Sequence, residues 1–248
     1  MRIYLHDGSF TGFLTALALA LERGGQDCAI APEKTADGAA EPELFTEYLG
    51  AGADPAKAEA MRELFERRGS AESWRHARYA FLSESPGSGA AVLAYARLLL
   101  EKGPAADHML ADDRVRRVHA LSASVGGEAH MFKGFVRFTE LADGTLYSRI
   151  EPEHNILTLI TGHFRARLGG FDWVIHDARR GSAALYFKGR LVVAPLEKAR
   201  LQENAGEALV RELWKHFFRT AAIKERENPR LQRRNVPLKY RKNLTEFG

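Results

Sequence analysis

Cysteine is almost absent from this chain of 248 residues. Its one thiol, Cys28, cannot form an internal disulfide, and it excludes a zinc finger, a cysteine-ligated iron–sulfur cluster and a CxxC redox pair within the chain. Long apolar runs are missing too. The longest, residues 13–21, falls far short of the roughly 20 residues a membrane span needs. A charged residue at position 2 breaks the first apolar stretch, so the start does not read as a signal peptide. There is no GxGxxG or Walker loop, no HExxH and no internal repeat. These absences predict a cytoplasmic protein without a membrane partner, and the spacing calls for no metal and no cofactor.

What is present fits an ordinary globular protein. Hydrophobic residues make up 45% and charged residues 27%, which excludes disorder throughout and collagen-like repeats. The length allows one large domain or two small ones. The net charge of +4 hides an asymmetry. Residues 215–248 hold ten basic side chains against Glu225, Glu227 and Glu246, so the tail carries +7 and the preceding 214 residues −3. A basic tail on a mildly acidic body points to a polyanion, most economically nucleic acid.

The pattern along the chain predicts strand, helix, strand over 3–5, 10–22 and 27–31, with a glycine pair at 24–25 and a surface loop over 32–43. Helices follow over 55–68, 71–83, 88–102 and 113–132, the first opened by Asp54-Pro55. From Gly134 the pattern changes. Strands over 135–141 and 146–150 flank Asp143-Gly144, a two-residue hairpin signal. A helix over 155–168, strands over 173–177, 183–187 and 191–194, and a long helix over 203–225 complete the reading. The long helix has its apolar face at Leu209, Leu213, Phe217 and Trp214. The fold class is α+β, with an antiparallel sheet carrying helices in the C-terminal half. The expected divisions are 1–132, 133–227 and a basic segment 228–248, with one integrated domain as the alternative.

A two-residue turn at Asp143-Gly144 would pair Leu141 with Leu146 and Arg137 with Ile150, placing Arg137 on an apolar face. A cation there needs a carboxylate, and Glu128 and Asp177 continue the apolar stripes of their own elements. Glu128, His130, Arg137 and Asp177 are therefore the candidate catalytic cluster, with a simple Arg–carboxylate pair as the structural alternative. Glu128 and His130 could also serve general acid–base chemistry. His163, with Glu128 and His130, contains metal-capable atoms, but no ligand spacing joins them. Phe138, Tyr147 and Arg149 on the opposite face could stack bases, unless a helix covers them. Asp7-Gly8-Ser9 could cradle a phosphate or cap the helix that follows.

The strongest functional signal is the tail. Arg230, Arg233, Arg234, Lys239, Arg241 and Lys242 alternate with Leu231, Val236, Leu238 and Tyr240. The apolar members are expected to dock the segment while the cations, with Tyr240, contact nucleic acid. Arg179 and Arg180, in a loop between two strands, offer two further guanidiniums for phosphates.

Five stretches carry a family resemblance: DGSFTGFLTAL from Asp7, EAHMFKGFVRFTEL from Glu128, LYSRIEPEHN from Leu146, WVIHDARRGSAALYF from Trp173 and ERENPRLQRRNVPLKY from Glu225. Together they resemble an uncharacterised bacterial family described as DNA metabolism or DNA repair proteins. The resemblance runs from residue 1 to 245 and is densest over 128–240. It implies association with a radical-SAM protein encoded nearby. Some members are fused to a uracil-DNA glycosylase domain, for which this chain is too short. It supplies no catalytic residues. The expectation is a DNA-binding accessory subunit to a radical-SAM partner. The alternatives are a nuclease or base-processing enzyme using the Glu/His/Arg/Asp cluster, or a protein-interaction adaptor.

Overall fold

Strand β1 (Arg2–His6) runs into Asp7, whose Oδ1 accepts from the Ser9 N–H at 2.9 Å and the Ser9 hydroxyl at 2.7 Å; Ser9 Oγ in turn accepts from the Gly12 N–H at 2.9 Å. These bonds serve the first turn of α1 (Phe10–Arg23), so Asp7 and Ser9 act as helix caps. Gly12 is required by the same geometry, because a Cβ there would stand 2.2 Å from Asp7 Oδ1.

The computed structural model describes residues 1–23, 25, 27–33, 46–197, 204–220 and 228–247. Two compact units divide it, Met1–Gly126 and Gly127–Gly248, and the class is α+β. Among the described residues no helix is long and apolar enough to cross a membrane.

In the N-terminal unit α1 crosses between β1 and β2 (Cys28–Pro32), which pair in parallel. Strand β3 (Glu47–Ala51) adds to the other side of β1, also in parallel, and has no counterpart in the sequence-based expectation. The expected loop over 32–43 and Gly24 lie largely outside the described residues. Helices α2 (Pro55–Arg68), α3 (Ala71–Leu82) and α4 (Ser88–Lys102) follow, then a 3₁₀ turn (Gly103–His108). Asp54 caps α2 through the Ala56 and Lys57 N–H groups, and Ser70 and Ser73 form a reciprocal box at α3. The small residues of α1 (Ala16, Ala18, Ala20) let it lie close to its neighbours, and Phe13, Leu17, Phe65, Tyr95 and Leu99 fill the core.

Helix α5 (Asp113–Phe135) runs through the boundary between the units, three residues beyond its expected end. The strand expected over 135–141 shrinks accordingly to β4 (Thr139–Glu140). The hairpin with β5 (Leu146–Ile150) differs as well. Leu141 N–H donates to Thr145 O and Gly144 N–H to Leu141 O, so the turn holds three residues, 142–144, with Gly144 at φ +82°. Thr139 then faces Tyr147 and Glu140 faces Leu146, one position away from the expected register. Side chains alternate along a strand, so this slip exchanges the faces. Arg137, Thr139 and Leu141 now share a side with Tyr147 and Arg149, and not with Leu146 and Ile150.

The C-terminal sheet is mixed, not purely antiparallel. Its order is β4-β5-β6-β7-β8. Helix α6 (Leu157–Arg167) crosses from β5 to β6 (Trp173–Asp177), and those two strands pair in parallel. Strands β7 (Ser182–Phe187) and β8 (Arg190–Pro195) continue antiparallel. Trp173 and Tyr186 stack at 5.2 Å across the β6–β7 ladder. Ile150, Ile156, Ile160, Phe164 and Ile175 are buried beside them. Helix α7 (Glu207–Thr220) lies within the expected 203–225, of which 203 and 221–225 fall outside the described residues. The tail is more ordered than its composition suggests: α8 (Pro229–Asn235) is capped by Asn228, α9 (Leu238–Arg241) follows, and a 3₁₀ turn (Thr245–Phe247) ends it.

Candidate nucleic-acid interface

The segment 151–155, joining β5 to α6, is held from two sides by buried carboxylates. Glu128 reaches from α5, its two oxygens accepting from the backbone N–H groups of Glu153 and His154, both at 2.7 Å. The Tyr240 hydroxyl, from α9, donates to the same carboxylate. Tyr240 is buried, with its ring edge-on to Phe132 at 5.0 Å. Burial, followed by that hydrogen bond, pushes its hydroxyl well above the ordinary tyrosine range.

On the other side Asp177 ends β6 without solvent exposure. It accepts from the Arg179 and Arg180 N–H groups and from the Arg180 guanidinium at 2.9 Å. Arg180 also donates to the carbonyls of Pro152 (3.2 Å) and Glu153 (2.7 Å). Burial raises the Asp177 pKa against the opposing effect of Arg180. Glu128 and Asp177 thus meet through one stretch of backbone.

Arg137 finds a different acid. Its guanidinium donates to Glu246 at 2.6 and 3.2 Å and to the Gly134 carbonyl at 2.6 Å. Trp214 Nε1–H donates to the same carboxylate at 3.2 Å, and its ring lies under the guanidinium at 5.7 Å. Burial alone would raise the Glu246 pKa; bonds from Arg137, its own backbone N–H and Trp214 outweigh that and hold it below the usual value. His130 is exposed on α5. The four residues of the candidate catalytic cluster therefore occupy separate settings: two clamp the backbone, one pairs with the tail, and one faces solvent.

The exchanged hairpin face opens onto a pocket of about 350 Å³ lined by Arg137, Arg149, Arg211, Lys215 and Lys242, with Tyr147 and Thr245 among the remaining residues. It has five cationic side chains and no carboxylate in its lining. Acids stand beside several of these cations, Glu246 on Arg137 among them. Arg149 (3.1 Å) and Lys242 (2.5 Å) share the single carboxylate of Glu151, and Lys215 stands 3.8 Å from Glu212. A second pocket of about 470 Å³ has Arg137, Arg211 and Thr245 in common with the first and adds Lys133, Arg167, Phe138, Phe164 and Trp214. Phe138 packs edge-on against Phe164 of α6, and the Tyr147 hydroxyl bonds His176 Nδ1 at 2.7 Å. Both aromatics of the expected stacking face are therefore covered on one side by the fold.

The tail residues sort into two groups. Arg230, Arg233 and Arg234 on α8 are exposed, as are Arg179, Lys239 and Lys242. Lys239 pairs with Glu153 at 2.6 Å. Arg180, Tyr240 and Arg241 point inward; Arg241 donates to the Val236 carbonyl and lies 4.4 Å from the Phe247 ring centre. Of the expected docking residues Tyr240 is buried and Val236 half-buried, whereas Leu231 and Leu238 are 43% and 65% exposed; Leu244, which was not expected, is buried as well. Sequence reasoning missed Arg211, Lys215 and Glu246 as partners of this region. Glu246 had one visible signal, as one of only three acids in residues 215–248.

Fold and pocket together define an α+β protein with a cationic pocket formed by a hairpin, one helix and the C-terminal segment. Residues 86–246 match a protein family described as a domain of unknown function, DUF4130. That is more than half of the chain, and the chain belongs to this family. No curated protein and no solved structure matches it.

Proposed function

We propose that this is a cytoplasmic nucleic-acid-binding protein of DNA repair or DNA metabolism, acting as an accessory subunit to a radical-SAM partner. The observation that carries the reading is the pocket whose lining holds five cations and no carboxylate. A phosphate entering it meets guanidinium and ammonium groups already positioned by internal bonds, which limits the side-chain ordering that binding requires. Exposed Arg230, Arg233 and Arg234, together with Arg179, extend the positive surface along a phosphate backbone.

The accessory role rests on α7. Leu209, Leu213 and Phe217 recur every four residues and are 66%, 59% and 58% exposed. A solvent-facing apolar stripe of this kind suits a protein partner. A radical-SAM cluster needs several thiolates, and Cys28 alone cannot supply them. The Glu128 and Asp177 carboxylates lend no support to a nuclease or base-processing enzyme, since Glu128 holds the backbone of 151–155 directly and Asp177 holds it through Arg180.

Fluorescence anisotropy with single- and double-stranded DNA at two salt concentrations tests the reading. The R149A/R211A/K215A variant should bind at least tenfold more weakly, with a shallower salt dependence. Absence of binding by the intact protein would overturn it.

A further inference from the structure

Three side chains of the N-terminal unit, none of them part of the basic interface, converge with metal-ligating chemistry. His76 on α3, Asp107 in the 3₁₀ turn and His119 on α5 each offer a ligand atom, and the three atoms lie within 4.8 Å of one another. We propose that His76, Asp107 and His119 form a two-histidine, one-carboxylate site for a divalent first-row transition ion such as Zn²⁺.

One edge of the coordination polyhedron is already in place. His119 Nε2 lies 2.8 Å from Asp107 Oδ1. Two ligands with bonds of about 2.0–2.2 Å to a common ion stand about 3 Å apart. The imidazoles of His76 and His119 stack with centroids 4.0 Å apart at 27°, so the third ligand arrives from beside the second. Both rings are half-buried. Solvent can reach the site from their exposed edges.

The surrounding groups are those that hold metal ligands in place. His76 Nδ1 lies 3.0 Å from the Ser122 hydroxyl. With Nδ1 donating its proton there, the Nε2 lone pair is left to face the ion. The Tyr95 hydroxyl donates to Asp107 Oδ1. Ser122 and Tyr95 are 1% and 0% exposed, so these supports are fixed by the core. Outer bonds of this kind set the tautomer and orientation of ligating side chains. Two imidazoles with one carboxylate favour zinc, iron, nickel or copper over magnesium or calcium, which prefer oxygen-only shells. The ligands come from three different elements, thirty-one and twelve positions apart in the chain, so no short spacing motif announces them.

The test is a Co²⁺ titration of the chelator-treated full-length protein, followed by visible absorption and then by displacement with Zn²⁺. One equivalent of Co²⁺ should bind, with ligand-field bands that Zn²⁺ abolishes. H76Q and H119Q should each weaken binding by at least a hundredfold. Y95F keeps all three ligands and should weaken it by about tenfold. Changing the exposed His108 to Gln should alter nothing. Lack of saturable Co²⁺ binding by the wild type would overturn the proposal, as would unchanged stoichiometry and affinity in the H76Q/H119Q double variant. Far-UV circular dichroism of each variant identifies any loss of fold. Should either histidine variant unfold, wild-type stoichiometry and the graded effect of Y95F still decide the matter.

Discussion

The guanidinium of Arg137 is bound by the carboxylate of Glu246, 109 positions away in the chain. This pair ties the hairpin end of the C-terminal unit to the last turn of the tail, with Trp214 of α7 bonded to the same acid. Glu246 is 5% exposed at its side chain and Arg137 27%, so either partner left alone is an uncompensated, half-dry charge.

Removing one member should therefore cost more than an ordinary surface pair. R137A and E246A are each expected to lower unfolding stability by about 2–3 kcal/mol, below the range for fully buried pairs because Arg137 keeps some solvent. The R137A/E246A double variant should lose clearly less than the sum of the two. Urea denaturation of all four proteins measures the coupling, and strict additivity would dissolve the pair as an energetic unit.

Acid should release the tail from the rest of the unit. The Glu151 pKa is depressed first by Lys242, and that of Glu153 first by Lys239. The Glu246 pKa is depressed by Arg137 and its other donors against the pull of burial. All three have folded-state values below the ordinary glutamate value of about 4.5, so their stabilisation is complete above about pH 4.5 and fades as pH falls through the depressed values. Asp177 has the opposite sign, because burial raises its pKa, but it lies on the β6 side and not on the tail. Amide exchange over 228–247 should be slow at pH 6 and, after correction for intrinsic rates, markedly less protected below pH 4. Unchanged protection would show that the apolar anchors Tyr240 and Leu244 hold the tail alone.

Legibility followed the range of the forces involved. Helices α2, α3 and α4 could be read to within a residue, because caps at Asp54 and Ser70 and glycines at their ends are local signals. Strands β6, β7 and β8 were equally plain from their apolar runs. The hairpin was misread by a single residue: Asp143 Oδ1 accepts from the Thr145 N–H at 2.9 Å and helps close a three-residue turn where a two-residue turn was expected. That one residue moved Arg137 from an apparent core face to the pocket face. Its partner could not be found from the sequence, since Glu128 and Asp177 both continue apolar stripes and Glu246 does not. The parallel β5–β6 pairing and β3 depend on contacts distant in the chain, which periodicity does not encode.

Glu128 and Tyr240 should prove to be structural. E128A removes the acceptor of the Glu153 and His154 N–H groups and of the Tyr240 hydroxyl, and is expected to cost about 3 kcal/mol or more. Y240F deletes one donor and should cost about 1–2 kcal/mol. At a temperature where Y240F is folded, its DNA affinity should stay within twofold of wild type. A large loss of affinity in folded Y240F would place its hydroxyl at the ligand.

The tail arginines should separate by function along the same segment. Arg230, Arg233 and Arg234 are exposed on α8, and replacing all three by alanine should change stability by less than about 0.5 kcal/mol. If each meets one phosphate of double-stranded DNA, the slope of log affinity against log salt should become shallower by about 3 × 0.9. Arg241 behaves differently because it bonds the Val236 carbonyl and lies against Phe247. R241A should lower stability and loosen the tail, and leave the salt slope nearly unchanged where the protein remains folded. Salt titrations of the triple and single variants, paired with their denaturation curves, distinguish the two roles. Equal slopes for wild type and the triple variant would remove α8 from the interface and leave the pocket of Arg149, Arg211 and Lys215 as the phosphate site.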